Sequence, residues 1–277
     1  MSDLDPATRS RLRWWLRAEK AFAVSSVIVP PGDTQEVVPV VPVENTSVVV
    51  KASAPPQPVE PELKPVPARS PLDVEELPAR EKSIRLQQLD ANEVKGCTRC
   101  RLHESRTQTV FGEGDPNASI FFIGEGPGEN EDLTGRPFVG RAGDLLERII
   151  TSGMGLRREQ VYIANIVKCR PPGNRVPALD EVETCTPYLV RQLEIIRPKV
   201  IVTLGHSAAR YMLDTKLAMG RLRGEWQNWR GIKLMPTFHP SYVLRSYTQE
   251  VREAVWSDLK KVLVELGMPV PVKRSEK

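Results

Sequence analysis

From about residue 83, short apolar runs alternate with longer amphipathic stretches. The runs SIFFIG (119–124), VYIANIVK (161–168), VIVTLG (200–205) and IKLMPTFHP (232–240) have the length and composition of strands. Between and after them, AGDLLERIITSG (142–153), LDEVETCTPYLVRQLEIIRP (179–198), HSAARYMLD (206–214) and TQEVREAVWSDLKKVLVELG (248–267) place apolar residues at helical spacing. Pro198 stops the second of these helices and Asp180 is placed to cap its start; Gly153 lies near the end of the first. SIRLQQLDANEV reads as a helix leading into CTRC. Strands separated by helices predict an α/β fold with a mainly parallel sheet and helices on both faces. In such sheets ligands bind beyond the carboxyl ends of the strands.

The amino-terminal part follows a different pattern. Residues 4–24 can form an amphipathic helix, with Pro6 in its first turn and Leu12, Trp15 and Leu16 on one face. Residues 29–80 hold twelve of the 25 prolines and no aromatic residue, the composition of an extended or disordered linker. The expected organisation is therefore a helical segment at 1–28, a linker at 29–80, the globular domain at 81–268 and a tail at 269–277. A net charge of +4 is compatible with a nucleic-acid partner without requiring one. No apolar run is long enough to span a bilayer, and the amino terminus lacks a signal peptide's apolar middle. A cytoplasmic location follows as the default, and disulfides are not expected from the four cysteines.

The polar residues that interrupt the apolar pattern carry the candidate chemistry. GEGPGENED, directly after the first strand, combines a glycine-rich turn with Glu125, Glu129, Glu131 and Asp132. A phosphate there would face carboxylates, and no Gly-Lys-Ser/Thr follows as in a phosphate-binding loop. A neutral polar ring, or a group that becomes positive during reaction, suits the loop better; an acidic surface turn would present the same letters. Gly124 and Gly126 let backbone amides approach such a ring closely. Phe138 in GRPFVG can stack on a flat ring. Asn165 interrupts an apolar strand with a side chain that both donates and accepts, matching the imide edge of uracil. His239 stands at a strand exit before Pro240. Cys97 and Cys100 form a CxxC, joined later by Cys169 and Cys185. Four thiolates in two groups can close one metal site. Spacing alone does not separate zinc from an iron–sulfur cluster, and on chemistry alone zinc is the expected metal. Such a site would tie the start of the domain to the loop of the 170s.

Taken together, CTRC, GEGPGENEDLTGRPFVGRAGDLL, VYIANIVKCRPPGNR, the later Cys185 and FHPSYVLR resemble the type-four, iron–sulfur branch of the uracil-DNA glycosylases. The resemblance covers about residues 85–266 and leaves 1–80 outside. It implies a three-layer α/β/α sandwich around a four-stranded parallel sheet, with Cys97, Cys100, Cys169 and Cys185 holding a [4Fe–4S] cluster rather than zinc. It implies that Gly124, Glu125 and Gly126 line a uracil pocket, that Phe138 stacks on the base, that Asn165 reads its imide edge and that His239 bonds its O2. The histidine-bearing basic insertion of one superfamily branch has no counterpart in KCRPPGNRVPALDE, so a hydrolytic, monofunctional enzyme is expected. The water-activating aspartate of another branch is replaced by Gly126.

Glu125, Asn165 and His239 are then the expected catalytic residues, acting on uracil flipped out of single- or double-stranded DNA. Lys168, Arg170, Arg175 and Arg245 are candidates for holding phosphates. Tyr242, Val243 or Leu244 can supply a wedge that fills the gap left by the base. A monomer is expected, with the segment carrying Trp14 and Trp15 available to a protein partner. The alternatives are a non-catalytic protein that binds damaged or single-stranded DNA, an iron–sulfur electron carrier and a zinc-stapled nucleotide hydrolase.

Overall fold

The computed structural model describes residues 76–271. The expected helix at 4–24, the proline-rich stretch as far as residue 75 and the tail from residue 272 lie outside the described residues. The first described helix, α1 (Ala79–Leu89), starts directly after Pro78 and runs into one wider turn, Asp90–Val94. Proline is tolerated there because the first helical turn needs no intrahelical donor from it.

The centre is a sheet in the order β1-β3-β2-β4-β6-β5. Four of its strands are the expected apolar runs: β2 (Ile120–Gly124), β3 (Tyr162–Asn165), β4 (Val200–Leu204) and β6 (Ile232–Thr237). These four pair in parallel. The sheet has six strands rather than four, because a short antiparallel strand closes each edge: β1 (Glu113–Gly114) on β3 and β5 (Gln227–Trp229) on β6. β5 turns into β6 through Arg230 and Gly231, both at positive φ (50° and 88°), the twisted two-residue turn that hairpins favour. The Asn228 side chain accepts a hydrogen bond from Gly231 N at 2.9 Å and pins that turn.

Successive residues of each central strand point to opposite faces. Phe121, Ile123, Ala164 and Ile201 pack with Leu86, Leu89, Leu189, Leu193 and Ala208. Ile120, Phe122, Ile163 and Val202 pack with Leu146, Ile150, Leu259 and Val262 on the other side. Both faces are therefore covered, which is why the strands read as continuous apolar runs. The covering helices are α1 and α4 (Leu179–Ile196) on one face and α3 (Arg141–Arg148) and α8 (Gln249–Glu265) on the other. α5 (His206–Leu213) packs on the first face through Ala208 and Met212. The short helices α2 (Glu129–Thr134), α6 (Met219–Leu222) and α7 (Pro240–Arg245) fill the connections. No helix among the described residues is long and apolar enough to cross a membrane.

The start of α4 differs from expectation. Ala178, not Asp180, occupies the cap position, and the cap is supplied from within the helix by Glu181. Glu181 accepts from Ala178 N at 2.7 Å, and it also binds Arg175 and Arg101. It is fully buried. The Arg175 hydrogen bond, against the opposing effect of burial and with help from Ala178 N–H and Arg101, pulls its pKa down to about 2. A side chain three residues into a helix satisfies the cap's amide more fully here than an exposed aspartate would.

β6 is anchored by a second buried carboxylate. Asp258 of α8 accepts from Thr237 Oγ1 at 2.7 Å and pairs with Arg223. Asp258→Ala would leave Thr237 Oγ1 without its acceptor and half-buried Arg223 without its carboxylate, keeping the Ala254 carbonyl. A loss of about 3 kcal/mol in unfolding free energy is expected from urea denaturation.

Candidate active site

The order β3-β2-β4 means that the chain leaves β2 for one side and later returns to the other. The crevice at such a reversal, beyond the strands' carboxyl ends, is where ligands bind in open parallel sheets. A cleft of about 570 Å³ opens there. Glu125 enters it from the end of β2, Asn165 from β3, Gly205 and His206 from β4 and His239 from β6. Phe138, Arg141, Arg175 and Arg245 complete the part of the wall that bears on chemistry. Glu125, Phe138, Asn165 and His239, far apart in sequence, thus meet in one cavity.

Gly124, the last residue of β2, does not line the cleft; it is what lets two of its walls approach. A Cβ at this position would lie 2.3 Å from Asn165 Oδ1 and 2.6 Å from Phe138 Cζ. Gly126 is similarly constrained, because its Cβ would lie 2.8 Å from Val167 Cγ2. Asn165 is 2% exposed, and its Oδ1 is buried with no hydrogen-bond partner among the described residues. An orphaned buried acceptor costs about 1–3 kcal/mol, and a ligand donor at this spot removes that cost.

Phe138 adopts φ 53°, a left-handed backbone that a bulky residue rarely takes. Its ring lies 5.7 Å from the His239 ring, centroid to centroid. Gly143 makes room for this conformation: a Cβ there would sit 2.0 Å from Phe138 O.

His239 caps α7. Its Nδ1 accepts from Ser241 N at 3.1 Å and lies 2.8 Å from Ser241 Oγ. A backbone N–H can only donate, so Nδ1 is the acceptor and the proton of the neutral ring is on Nε2. Burial, helped by the positive charge of Arg245, pushes the pKa of His239 down to about 4. At neutral pH this is an uncharged imidazole.

The acidic loop resolves into two groups. Glu131 and Asp132 are consumed by backbone amides. Glu131 accepts from Gly128 N (3.1 Å), Val139 N (3.1 Å) and Gly140 N (3.3 Å). Asp132 is buried and accepts from Thr107 N at 2.9 Å. Glu129 is exposed, 3.8 Å from Arg170. Glu125 and Glu131 both line the cleft, but Glu131 is committed to three backbone amides, which leaves Glu125, beside Phe138 and Asn165, as the carboxylate of this loop suited to a ligand.

The basic candidates separate as well. Lys168 is 1% exposed, and its Nζ donates to Asn165 O (2.9 Å) and Gln192 Oε1 (2.6 Å). It has no path to a phosphate, which corrects the expectation; its work is to hold the end of β3. Burial lowers its pKa to about 8. Arg170 is tethered to Asn174 Oδ1 at 2.8 Å, and Arg175 to Glu181 at 2.6 and 2.8 Å. Arg245 and Arg141 line the cleft at exposed positions. Arg141 escaped the sequence reading because nothing in GRAGDLL sets it apart from a solvated helical residue. On α7, Tyr242 is exposed and Leu244 half-buried, whereas Val243 belongs to the core and is unavailable as a wedge.

All four cysteines line one small cavity on the other side of the β3 exit. Polar hydrogens already point at three of the sulfurs: Lys168 N at 3.2 Å from Cys185, Arg106 Nη1 at 3.1 Å from Cys169, and Tyr188 Oη at 3.4 Å from Cys97. Burial pushes the Cys185 thiol up to about 12 and raises Cys169 and Cys100. Deprotonating such thiols takes a strong local positive charge, which a bound metal group supplies. Among the described residues no three His, Cys, Asp or Glu side chains close to the spacing of ligands around a single ion.

Comparison with known proteins gives a consistent result. Residues 111–260 match the family described as the uracil DNA glycosylase superfamily. The type-4 uracil-DNA glycosylase of Thermotoga maritima is 49% identical over 178 residues, covering 64% of this chain and 92% of that protein. Its counterpart in Saccharolobus solfataricus is 47% identical over 182 residues, 63% of this chain and 83% of that protein. The one in Archaeoglobus fulgidus is 47% identical over 178 residues, 61% and 88%.

Gly124→Ala tests the close approach at the end of β2. The added methyl is expected to displace the Asn165 and Phe138 side chains and to cost about 1–3 kcal/mol. A crystal structure of the variant with both side chains unmoved would contradict the assignment.

Proposed function

This chain belongs to the uracil DNA glycosylase superfamily, and on that premise we propose that it hydrolyses the N-glycosidic bond of uracil flipped out of DNA. The product is an abasic site, the starting point of base excision repair. The observation that carries the reading is the pair of opposed groups at one cleft: an orphaned buried acceptor, Asn165 Oδ1, and a neutral imidazole whose proton is on Nε2.

The residues divide the work by charge. Uracil presents N3–H as a donor and O2 and O4 as acceptors. Asn165 Oδ1 accepts from N3–H, and its amide donates to O4. Cytosine offers no N3–H and carries an amino donor in place of O4, so it leaves the buried amide mismatched. Phe138 stacks on the ring. Breaking the C1′–N1 bond sends the electron pair to the base, which becomes anionic, and leaves the sugar cation-like. His239 Nε2–H donates to O2 as negative charge develops there. Being neutral beforehand, it does so without surrendering a full proton. Glu125 stabilises the cationic sugar and orients the water that attacks C1′. Carboxylate and imidazole thus serve opposite ends of the breaking bond, while Glu131, in the same cleft, has its carboxylate engaged by three amides.

Arg245, Arg141 and Arg175 at the cleft wall, with Arg170 beside them, hold the flanking phosphates. Tyr242 and Leu244 on α7 fill the space the base vacates. The cysteine cavity fits a [4Fe–4S] cluster, since its donor set is four cysteine sulfurs with N–H and O–H groups aimed at them. Cys97, Cys100, Cys169 and Cys185 would hold it. Held there, the group would supply a structural link joining the segment before β1 to the loop after β3 and to α4, which carries Cys185.

Two measurements check this reading. Purified protein incubated with a uracil-containing duplex and then treated with alkali is expected to cut the strand at uracil. Asn165→Asp should slow single-turnover excision by roughly 100-fold or more while leaving the melting temperature nearly unchanged. Band retardation without an alkali-labile site would favour the non-catalytic binding protein instead. Separately, the protein is expected to be brown with about four irons per chain, and Cys185→Ser should lose both colour and iron. A colourless protein containing zinc would overturn the cluster assignment.

A further inference from the structure

Arg158 lies in the turn before β3 and does not line the cleft, yet it is nearly enclosed, with a side chain 11% exposed. Its guanidinium makes three separate contacts. Nη2 donates to Pro137 O at 2.5 Å, Nε to Glu113 Oε1 at 2.7 Å, and Nη1 lies 3.4 Å from Glu147 Oε2. Glu113 is further held by Arg136 at 2.8 and 3.1 Å. Pro137 immediately precedes Phe138, whose φ of 53° is unfavourable for a bulky side chain. On the other flank, Glu131 holds Val139 N and Gly140 N. The peptide units on both sides of Phe138 are therefore fixed by charged side chains, one from the turn before β3 and one from α2.

We propose that Arg158 is a positioning residue for the reaction: by gripping the Pro137 carbonyl it locks Phe138 in its left-handed backbone and so presets the face against which the base is received. A backbone in this region costs on the order of 1–3 kcal/mol and persists where surrounding contacts over-determine it. Releasing the Pro137 carbonyl removes one of those contacts, and the ring then samples positions from which it no longer meets a flipped base. Arginine suits the task because its planar fork serves two carboxylates and a carbonyl at once. Lysine supplies charge without that geometry. Arg158 touches no substrate and acts only through Phe138. The inference rests on the glycosylase reading.

The test is a double-mutant cycle in the full chain, with single-turnover uracil excision compared for wild type, Arg158→Gln, Phe138→Ala and the double variant. Uracil release by the wild type decides the glycosylase reading independently of the variants. Arg158→Gln is expected to slow excision by roughly 10-fold or more and to weaken inhibition by free uracil, while affinity for abasic DNA stays unchanged. In the double variant the rate should equal that of Phe138→Ala alone. Multiplicative losses in the double variant, or a wild-type rate in Arg158→Gln, would overturn the proposal. Should Arg158→Gln melt below the assay temperature, Arg158→Lys carries the same cycle with the same two outcomes.

Discussion

The register of the four parallel strands sets the position of nearly everything else. Gly124 is paired with Asn165 across β2 and β3, and Leu204 with Thr237 across β4 and β6. Because parallel strands all end at the same edge, the residues that follow these pairs emerge side by side. A one-residue slip in any ladder would turn a cleft residue into the core and a core residue into the cleft. Coverage on both faces by two apolar clusters makes such a slip costly. The site is thus held by the same packing that stabilises the sheet.

Once the strands are in register, the remaining task is to separate charge. Five acids and several arginines lie within or beside the cleft region, and most are neutralised locally. Glu131, Asp132 and Glu181 are spent on backbone amides or arginines. Lys168 is spent on the Asn165 carbonyl and Gln192. Besides Glu131, whose carboxylate is held by amides, the cleft wall presents Glu125, a neutral His239, the Asn165 amide, His206 and the arginines Arg141, Arg175 and Arg245. This division places the anionic group and the neutral donor where the proposed bond cleavage develops opposite charges.

The cysteine cavity and the cleft share the chain that leaves β3. Asn165 faces one, Cys169 the other, and Lys168 between them bonds Asn165 O with its side chain and Cys185 Sγ with its backbone N–H. The five residues from Asn165 to Cys169 therefore carry geometry of both sites.

The alternation of apolar runs and amphipathic stretches determined the α/β class, the parallel centre and the positions of the long helices, since those depend on periodicity alone. The interruptions of that pattern at Glu125, Asn165 and His239 marked the cleft, because a polar residue at the end of a buried strand is legible as an exception. The edge strands escaped, being two or three residues long and lacking a period; the Arg230–Gly231 turn carries only half of the usual glycine-and-asparagine signature. The fates of the charges escaped as well. Glu125 and Glu131 look alike in GEGPGENED, and Lys168 and Arg170 look alike in KCR, yet Glu131 is held by backbone amides while Glu125 is the loop acid suited to a ligand, and Lys168 is buried while Arg170 reaches Asn174. Which carboxylate meets an amide, and which cation meets a carbonyl, depends on groups up to tens of residues away in the chain, and only the packed tertiary structure brings them within hydrogen-bonding distance.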